Sequence, residues 1–81
     1  MNTDKPLSER EQFVLEAITL ATERYGPAMT VNVGFALHVA GHSGVQGSKL
    51  ERALTSLHVR GLIGTKKIDG ERAWYIVEES R

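Results

Sequence analysis

The first third of the chain carries apolar residues at intervals of three and four, which is the spacing of an amphipathic helix. Ser8 stands before this pattern and Glu11 follows three residues later, as in a capping box at a helix start. Gly26 and Pro27 come directly after the pattern and favour a helix end. We therefore predict a first helix between these signals. Its apolar face comprises Phe13, Val14, Ala17, Ile18, Ala21 and Tyr25.

A second, shorter helix is predicted in the segment TVNVGFALHVAG, residues 30–41. Thr30 or Asn32 could cap its start, and Gly41 favours its end. Its apolar residues lie nearly all the way round, and no Asp, Glu, Lys or Arg occurs from Tyr25 to Ser48. A helix that is apolar on every side is usually buried on more than one of them. The pattern therefore predicts either a central helix or a helix at a subunit interface.

A third helix is predicted in QGSKLERALTSLHVRG, residues 46–61, after a turn-rich connector that contains three glycines. Gly61 is the expected stop signal. Helical spacing places one apolar face inward, made of Leu50, Ala53, Leu54 and Leu57. The opposite face is polar, and basic near its start. It carries Ser48, Arg52, Thr55 and Val59, with Lys49 and Ser56 beside it.

The runs LIGTKKI and ERAWYIV, residues 62–68 and 71–77, favour β-strands and are joined by Asp69-Gly70. This pair is typical of a two-residue type I′ turn, which fixes the register of the hairpin. In that register Ile68 faces Glu71, Lys67 faces Arg72, Lys66 faces Ala73, Thr65 faces Trp74 and Ile63 faces Ile76. Like charges on facing positions repel each other, so an anion bound between Lys67 and Arg72 would reduce that repulsion.

Trp74 and Tyr75 are neighbours on the second of these strands and must point to opposite faces of the hairpin. One of the two is expected to cover the core. Stacking on a nucleic-acid base stays open as an alternative role for the other.

Length and composition limit the classes of protein that this chain can belong to. Its 81 residues, 41% of them hydrophobic, predict one domain with a thin core, in which residues 1–7 and 78–81 form flexible tails. The chain has no cysteine, which excludes disulfides and thiolate metal sites. MNTDKPLSER lacks the apolar run of a signal peptide, and no stretch reaches the roughly 18 apolar residues of a membrane span. We therefore expect a cytoplasmic protein without membrane contact.

Catalytic and metal-binding patterns are weak in this sequence. His38 and His42 have the spacing of two metal ligands on a helix, but Gly41 is expected to end the helix between them. There is no glycine-rich phosphate loop between a strand and a helix, and no pair of carboxylates in a plausible cleft. We therefore expect no enzyme activity, no cofactor and no metal.

The net charge of the whole chain is zero, with ten basic and ten acidic residues, but the two signs are separated. Residues 1–30 hold three basic and five acidic residues, a net charge of −2. Residues 46–72 hold six basic and three acidic residues, a net charge of +3. Positive charge is thus concentrated on the third helix and the hairpin, which indicates a local contact with an anionic partner.

Three helices followed by a hairpin, in this order and at these lengths, resemble the winged helix-turn-helix superfamily. The most specific piece is LERALTSLHVRGLI, residues 50–63, which is similar to a recognition helix that runs through a glycine into the first strand of the wing. ERAWYIV resembles the returning strand, so the resemblance covers residues 8–77. It implies an α+β winged-helix fold of the kind found in small bacterial and archaeal transcriptional regulators.

This resemblance implies a DNA-binding function for the polar, basic surface. The third helix would enter the major groove of double-stranded DNA and the hairpin would contact phosphates. The expected contact residues are Gln46, Ser48, Lys49, Arg52, Thr55, Ser56, Lys66, Lys67 and Arg72. The same fold also serves as a protein-interaction module, and the uncharged stretch and the outward position of Val59 favour that alternative.

We predict that the chain associates with itself as a two-fold dimer. The core is thin, and the second helix carries more apolar surface than one core contact needs. The first or second helix is expected at the interface, with Arg52, Lys67 and Arg72 left exposed.

Overall fold

A computed structural model describes residues 6–77, which form an α+β fold of three helices and a three-stranded antiparallel sheet. The elements are α1 (Glu9–Tyr25), β1 (Ala28–Met29), α2 (Thr30–Val39), α3 (Ser48–Val59), β2 (Ile63–Ile68) and β3 (Glu71–Ile76). The predicted flexible tails, residues 1–7 and 78–81, lie outside the described residues except for Pro6 and Leu7. Leu7 is half-buried and packs against the core.

The predicted capping box starts α1. The Ser8 hydroxyl accepts the backbone N–H of Glu11, and the Glu11 carboxylate accepts the backbone N–H of Ser8. Val14, Ala17, Ile18 and Ala21 form the buried stripe of the helix, as predicted. The two aromatic ends of that stripe lie nearer to solvent, because Phe13 is half-buried against His42 and Tyr25 is exposed.

The hairpin has the predicted turn and the predicted register. Asp69 and Gly70 have φ values of 54° and 83°, as a type I′ turn requires. All five predicted facing pairs are present, including Lys67 with Arg72. At the other end of β2, the α3 helix closes at Gly61, whose φ is 78°. The N–H groups of Gly61 and Leu62 bond to the carbonyls of His58 and Leu57, a Schellman motif that turns the chain directly into the sheet.

The prediction of a two-stranded sheet is wrong by one strand. β1 pairs antiparallel with β3, with Ala28 facing Trp74 and Met29 facing Ala73, so the strand order is β1-β3-β2. Two residues are too few to show the alternation of apolar and polar positions that marks a strand. β1 forms because the chain leaving α1 passes the free edge of β3.

Of the two alternatives predicted for α2, the central helix is wrong within the described residues, and the helix at a subunit interface stays a prediction. Val33, Ala36 and Leu37 face the core, whereas Val31, Phe35 and Val39 are exposed on the opposite side. With β1 running straight into the helix, its N-cap is Met29 and not Thr30 or Asn32. The Thr30 hydroxyl instead accepts a hydrogen bond from the Trp74 indole at 3.0 Å, and the Asn32 amide donates to the Pro27 carbonyl at 3.0 Å.

The carboxylate of Glu11 joins the start of α1 to the end of α3. It accepts a 2.6 Å hydrogen bond from the Ser56 hydroxyl and lies 3.2 Å from the Arg60 guanidinium. Burial by itself raises the pKa of Glu11, but the hydrogen bonds from Ser56 and Ser8 and the charge of Arg60 bring it below its ordinary value of 4.5. Because the folded pKa is the lower one, this contact stabilises the fold above that ordinary value and is lost as the pH falls through the folded pKa.

Replacing Glu11 by Gln should therefore lower the free energy of unfolding at neutral pH and weaken its dependence on pH. The loss at pH 7 should be about 1–3 kcal/mol, because the variant removes the charge-assisted contact between the Glu11 carboxylate and the Arg60 guanidinium. The difference between wild type and variant should shrink as the pH falls through the lowered folded pKa of Glu11, because the protonated carboxyl is then neutral like the Gln amide. Urea unfolding across a series of acidic pH values, compared with pH 7, measures this difference. Glu16→Gln, on the exposed side of the same helix, is the control; an equal loss in both variants would contradict the expectation.

Candidate nucleic-acid interface

The exposed face of α3 is the first part of the candidate surface. Leu50, Ala53, Leu54 and Leu57 are buried, as predicted, and fix which side of the helix points outward. The outward side carries Ser48, Arg52, Thr55 and Val59, all of them exposed. Gln46 and Lys49 are exposed at its beginning, where the Gln46 carbonyl accepts the Lys49 N–H at 3.2 Å. The ridge, by which we mean these six residues, is thus polar and basic at its start and apolar at its end.

Ser56, the remaining predicted contact residue on α3, lies to one side of the ridge. It is half-buried, and its hydroxyl donates to Glu11. The side chain therefore holds α3 against α1, and its one donor is already used within the protein.

The hairpin provides the second part of the surface. Lys67 and Arg72 face each other and lie on the same side of the sheet as Thr65 and Trp74, but nearer the turn and exposed. Lys66 lies on the opposite side, with its ammonium 5.9 Å from the centre of the Tyr75 ring. The structure therefore brings Lys67 and Arg72 together and separates Lys66 from them.

Trp74 links the hairpin to the helices. Its indole is buried, donates to Thr30 at the start of α2, and lies edge-on to the His58 ring of α3 with 6.1 Å between centroids. The Arg72 guanidinium lies 5.6 Å from the centre of the Trp74 rings on the hairpin side. One of the two aromatic residues was expected to cover the core, and this residue is Trp74, whereas Tyr75 is exposed.

Tyr75 lies across β2 in a space that only glycine leaves open. Its ring covers Gly64, where an added Cβ would come within 2.5 Å of the Tyr75 ring and hydroxyl. The aromatic face is therefore partly occupied by its own sheet and by Lys66.

Two of the three histidines make ring contacts, and the histidines do not form a cluster. His42 stacks on Phe13 with 3.7 Å between centroids and 11° between planes, and His58 contacts Trp74. Within residues 6–77, no group of three or more His, Asp or Glu side chains is placed to hold a metal ion. In the same part of the chain, no helix is both long and apolar enough to span a bilayer.

The sequence contains no local signal for the contacts that hold the surface together. Glu11 and Arg60 are 49 positions apart and Trp74 and Thr30 are 44 apart, so neither pair follows from periodicity or turn chemistry. His58, at the α3 end of the contact with Trp74, was not among the predicted residues.

The chain matches no protein-family model, no curated protein and no solved structure. Its function is therefore inferred from the geometry of its own residues.

Facing cations on the hairpin should cost stability in the free protein. Replacing Lys67 by Glu converts the repulsive pair with Arg72 into an attractive one and should raise the free energy of unfolding by about 0.5 kcal/mol. About 1 M NaCl should abolish the gain, because the pair is exposed and is screened. Urea unfolding at low and high salt measures both effects. Lys66→Glu makes the same charge change opposite Ala73 and should give no gain; a gain of equal size there would show that Lys67 and Arg72 do not repel.

Proposed function

We propose that this chain is a winged-helix DNA-binding protein that acts as a transcriptional regulator. The order of elements, helix–strand–helix–helix–strand–strand with the sheet ordered β1-β3-β2, is compatible with a winged-helix fold and supports the proposal. The observation that carries it is that α3 and the hairpin, which are in contact through His58 and Trp74, each expose basic side chains. Arg52 stands on the ridge, Lys67 and Arg72 stand on the hairpin, and Trp74 connects the two elements.

In this proposal the ridge enters the major groove. A helix of 12 residues is about 18 Å long, and the groove, roughly 12 Å wide, accepts one helix. Arg52 has the donor geometry to read guanine, and Ser48, Gln46 and Thr55 supply shorter polar groups for base edges or sugar. Lys49 contacts a phosphate. Ser56 supports the position of the helix through Glu11 and does not reach the DNA.

In the same proposal, the hairpin contacts the phosphates of the DNA backbone beside the major groove. A phosphate between Lys67 and Arg72 neutralises their mutual repulsion, so binding removes a cost that the free protein carries. Lys66 points to the other side of the sheet and contributes to the general positive field. With so few cations and no net charge, binding without a specific sequence should be weak, and each phosphate contact should add only about 0.9 to the slope of log K against log salt.

A protein-interaction function on the same fold is the second candidate, and one observation favours it. Val59 is 71% exposed on the ridge itself, where a DNA-reading helix is usually polar. An apolar side chain at that position suits a protein surface, or the methyl group of a thymine. A measurement of DNA binding distinguishes the DNA-binding function from the protein-interaction function.

Alanine at Arg52 and at Lys67 should weaken DNA binding in different ways. Arg52→Ala should lower affinity for a selected high-affinity duplex by about 1–3 kcal/mol and leave affinity for random duplexes less affected. Lys67→Ala should weaken binding to every duplex equally and reduce the slope of log K against log salt by about 0.9. Fluorescence anisotropy with a duplex selected from a random library, titrated in salt from about 50 mM, measures both quantities.

The matched control is Arg24→Ala, which removes the same charge from the exposed end of α1 and should change neither quantity. Absence of binding to any duplex at about 50 mM salt and micromolar protein would reject the DNA-binding function, because phosphate contacts are strongest there. An equal effect of all three variants would reject the assignment to the ridge and hairpin.

A further inference from the structure

The outer side of α2 is an apolar stripe that the fold does not use. Val31, Phe35 and Val39 are 72%, 55% and 52% exposed, and their spacing of four places them in one row along the helix. The Tyr25 ring, 40% exposed at the end of α1, lies 6.4 Å from the Phe35 ring and extends the row sideways. We call these four residues the α2 stripe. Since Val33, Ala36 and Leu37 already supply the core contact, the stripe is surplus to folding.

The stripe lies in a long uncharged part of the chain. No Asp, Glu, Lys or Arg occurs from Tyr25 to Ser48, although 25% of all residues are charged. A solvent-facing helix side normally carries such residues. Large apolar side chains in their place mark a surface that is covered for part of the time.

We propose that a second copy of this chain covers the α2 stripe, with the two α2 helices antiparallel about a two-fold axis at Phe35. The row Val31–Phe35–Val39 reads the same in both directions, so it is complementary to itself under that symmetry. Phe35 meets the partner subunit's Phe35 on the axis, and Val31 meets the partner subunit's Val39. Rows of residues spaced by four are also the ridges that interdigitate in the commonest class of helix packing.

The chemistry of the stripe favours a copy over an unlike partner. Residues near a two-fold axis meet their own counterparts, so a charge there would meet a like charge, and the stripe has none. An unlike partner is usually selected by charge complementarity, for which the stripe offers no group. In the antiparallel arrangement, the partial positive charge at the N-terminus of each α2 helix also lies near the partial negative charge at the C-terminus of the other.

The area of the stripe fits a weak dimer. A whole aromatic side chain exposes roughly 150–250 Å², so Phe35 and Tyr25 still expose about 100 Å² each. With the two valines the stripe amounts to about 400 Å² per copy, or about 800 Å² in a dimer, below the roughly 1,200 Å² at which standard stable interfaces begin. The dimer should therefore form in the micromolar-to-millimolar range and depend on concentration. It uses none of the ridge or hairpin residues and does not rest on the proposed DNA binding.

Sedimentation equilibrium of the full chain from about 10 μM to about 1 mM tests the proposal, together with charged variants at the axis. The wild type should pass from the monomer mass of 8.9 kDa towards twice that mass. Phe35→Glu and Phe35→Lys should each weaken self-association by at least about tenfold, because each copy then meets its own charge. An equimolar mixture of the two variants should associate again, since opposite charges now meet on the axis.

Thr19→Glu and Thr19→Lys, at an exposed position on α1 outside the stripe, the ridge and the hairpin, are the matched controls and should associate like the wild type. Phe35 is exposed, so its variants should keep the thermal unfolding temperature of the wild-type monomer, which circular dichroism checks. A wild type that stays monomeric at about 1 mM would overturn the proposal. So would a mixture of the Phe35 variants that stays monomeric, or association that is abolished at Thr19 and not at Phe35.

Discussion

The indole of Trp74 is the contact on which the arrangement of this small protein depends. Its position in β3 pairs it with Ala28 of β1 and Thr65 of β2, so all three strands meet there. Its N–H reaches the first residue of α2, and its edge meets His58 near the end of α3. A single large side chain therefore sets the sheet against two helices. Glu11 adds the remaining connection, from α1 to α3, through Ser56 and Arg60. Two contacts of this kind compensate for a core in which alanines occupy many of the buried positions.

Features with local causes were predictable from the sequence. The capping box at Ser8 and the turn at Asp69-Gly70 each involve residues at most three positions apart, and both were predicted with the observed geometry. Features that depend on distant parts of the chain were not predictable. β1 forms only because β3 lies beside it. Phe35 faces solvent because Ala36 and Leu37 occupy the side of α2 that packs on the core. The candidate surface shows the same division. Helical periodicity was enough to predict that Arg52 points outward. The hydrogen bond from the Ser56 hydroxyl to Glu11 was not predictable, because it depends on how α1 packs on α3.

The neutral charge of the chain conceals surfaces of different character. α1 carries most of the acidic residues of the first half, α2 has no Asp, Glu, Lys or Arg, and α3 with the hairpin carries the basic excess. Lys67 and Arg72 are held in a repulsive pairing by the register of the sheet, which the turn enforces regardless of their charges. Like charges on facing positions cost stability, and an anion between them would remove that cost. At this one pair of residues we therefore expect stability of the free protein and anion binding to be opposed.

Among residues 6–77, the strand order β1-β3-β2 leaves the outer side of β2 without a neighbouring strand along its six residues. An open strand edge is a template on which further chains can add, and a protein near its isoelectric point of 6.8 has little overall charge with which to keep copies apart. Lys66 and Lys67 stand in the middle of that edge and point to both faces of the sheet. Adding a second β2 there would bring these ammonium groups close to those of the added strand. The two lysines thus oppose the addition of a further strand at this edge.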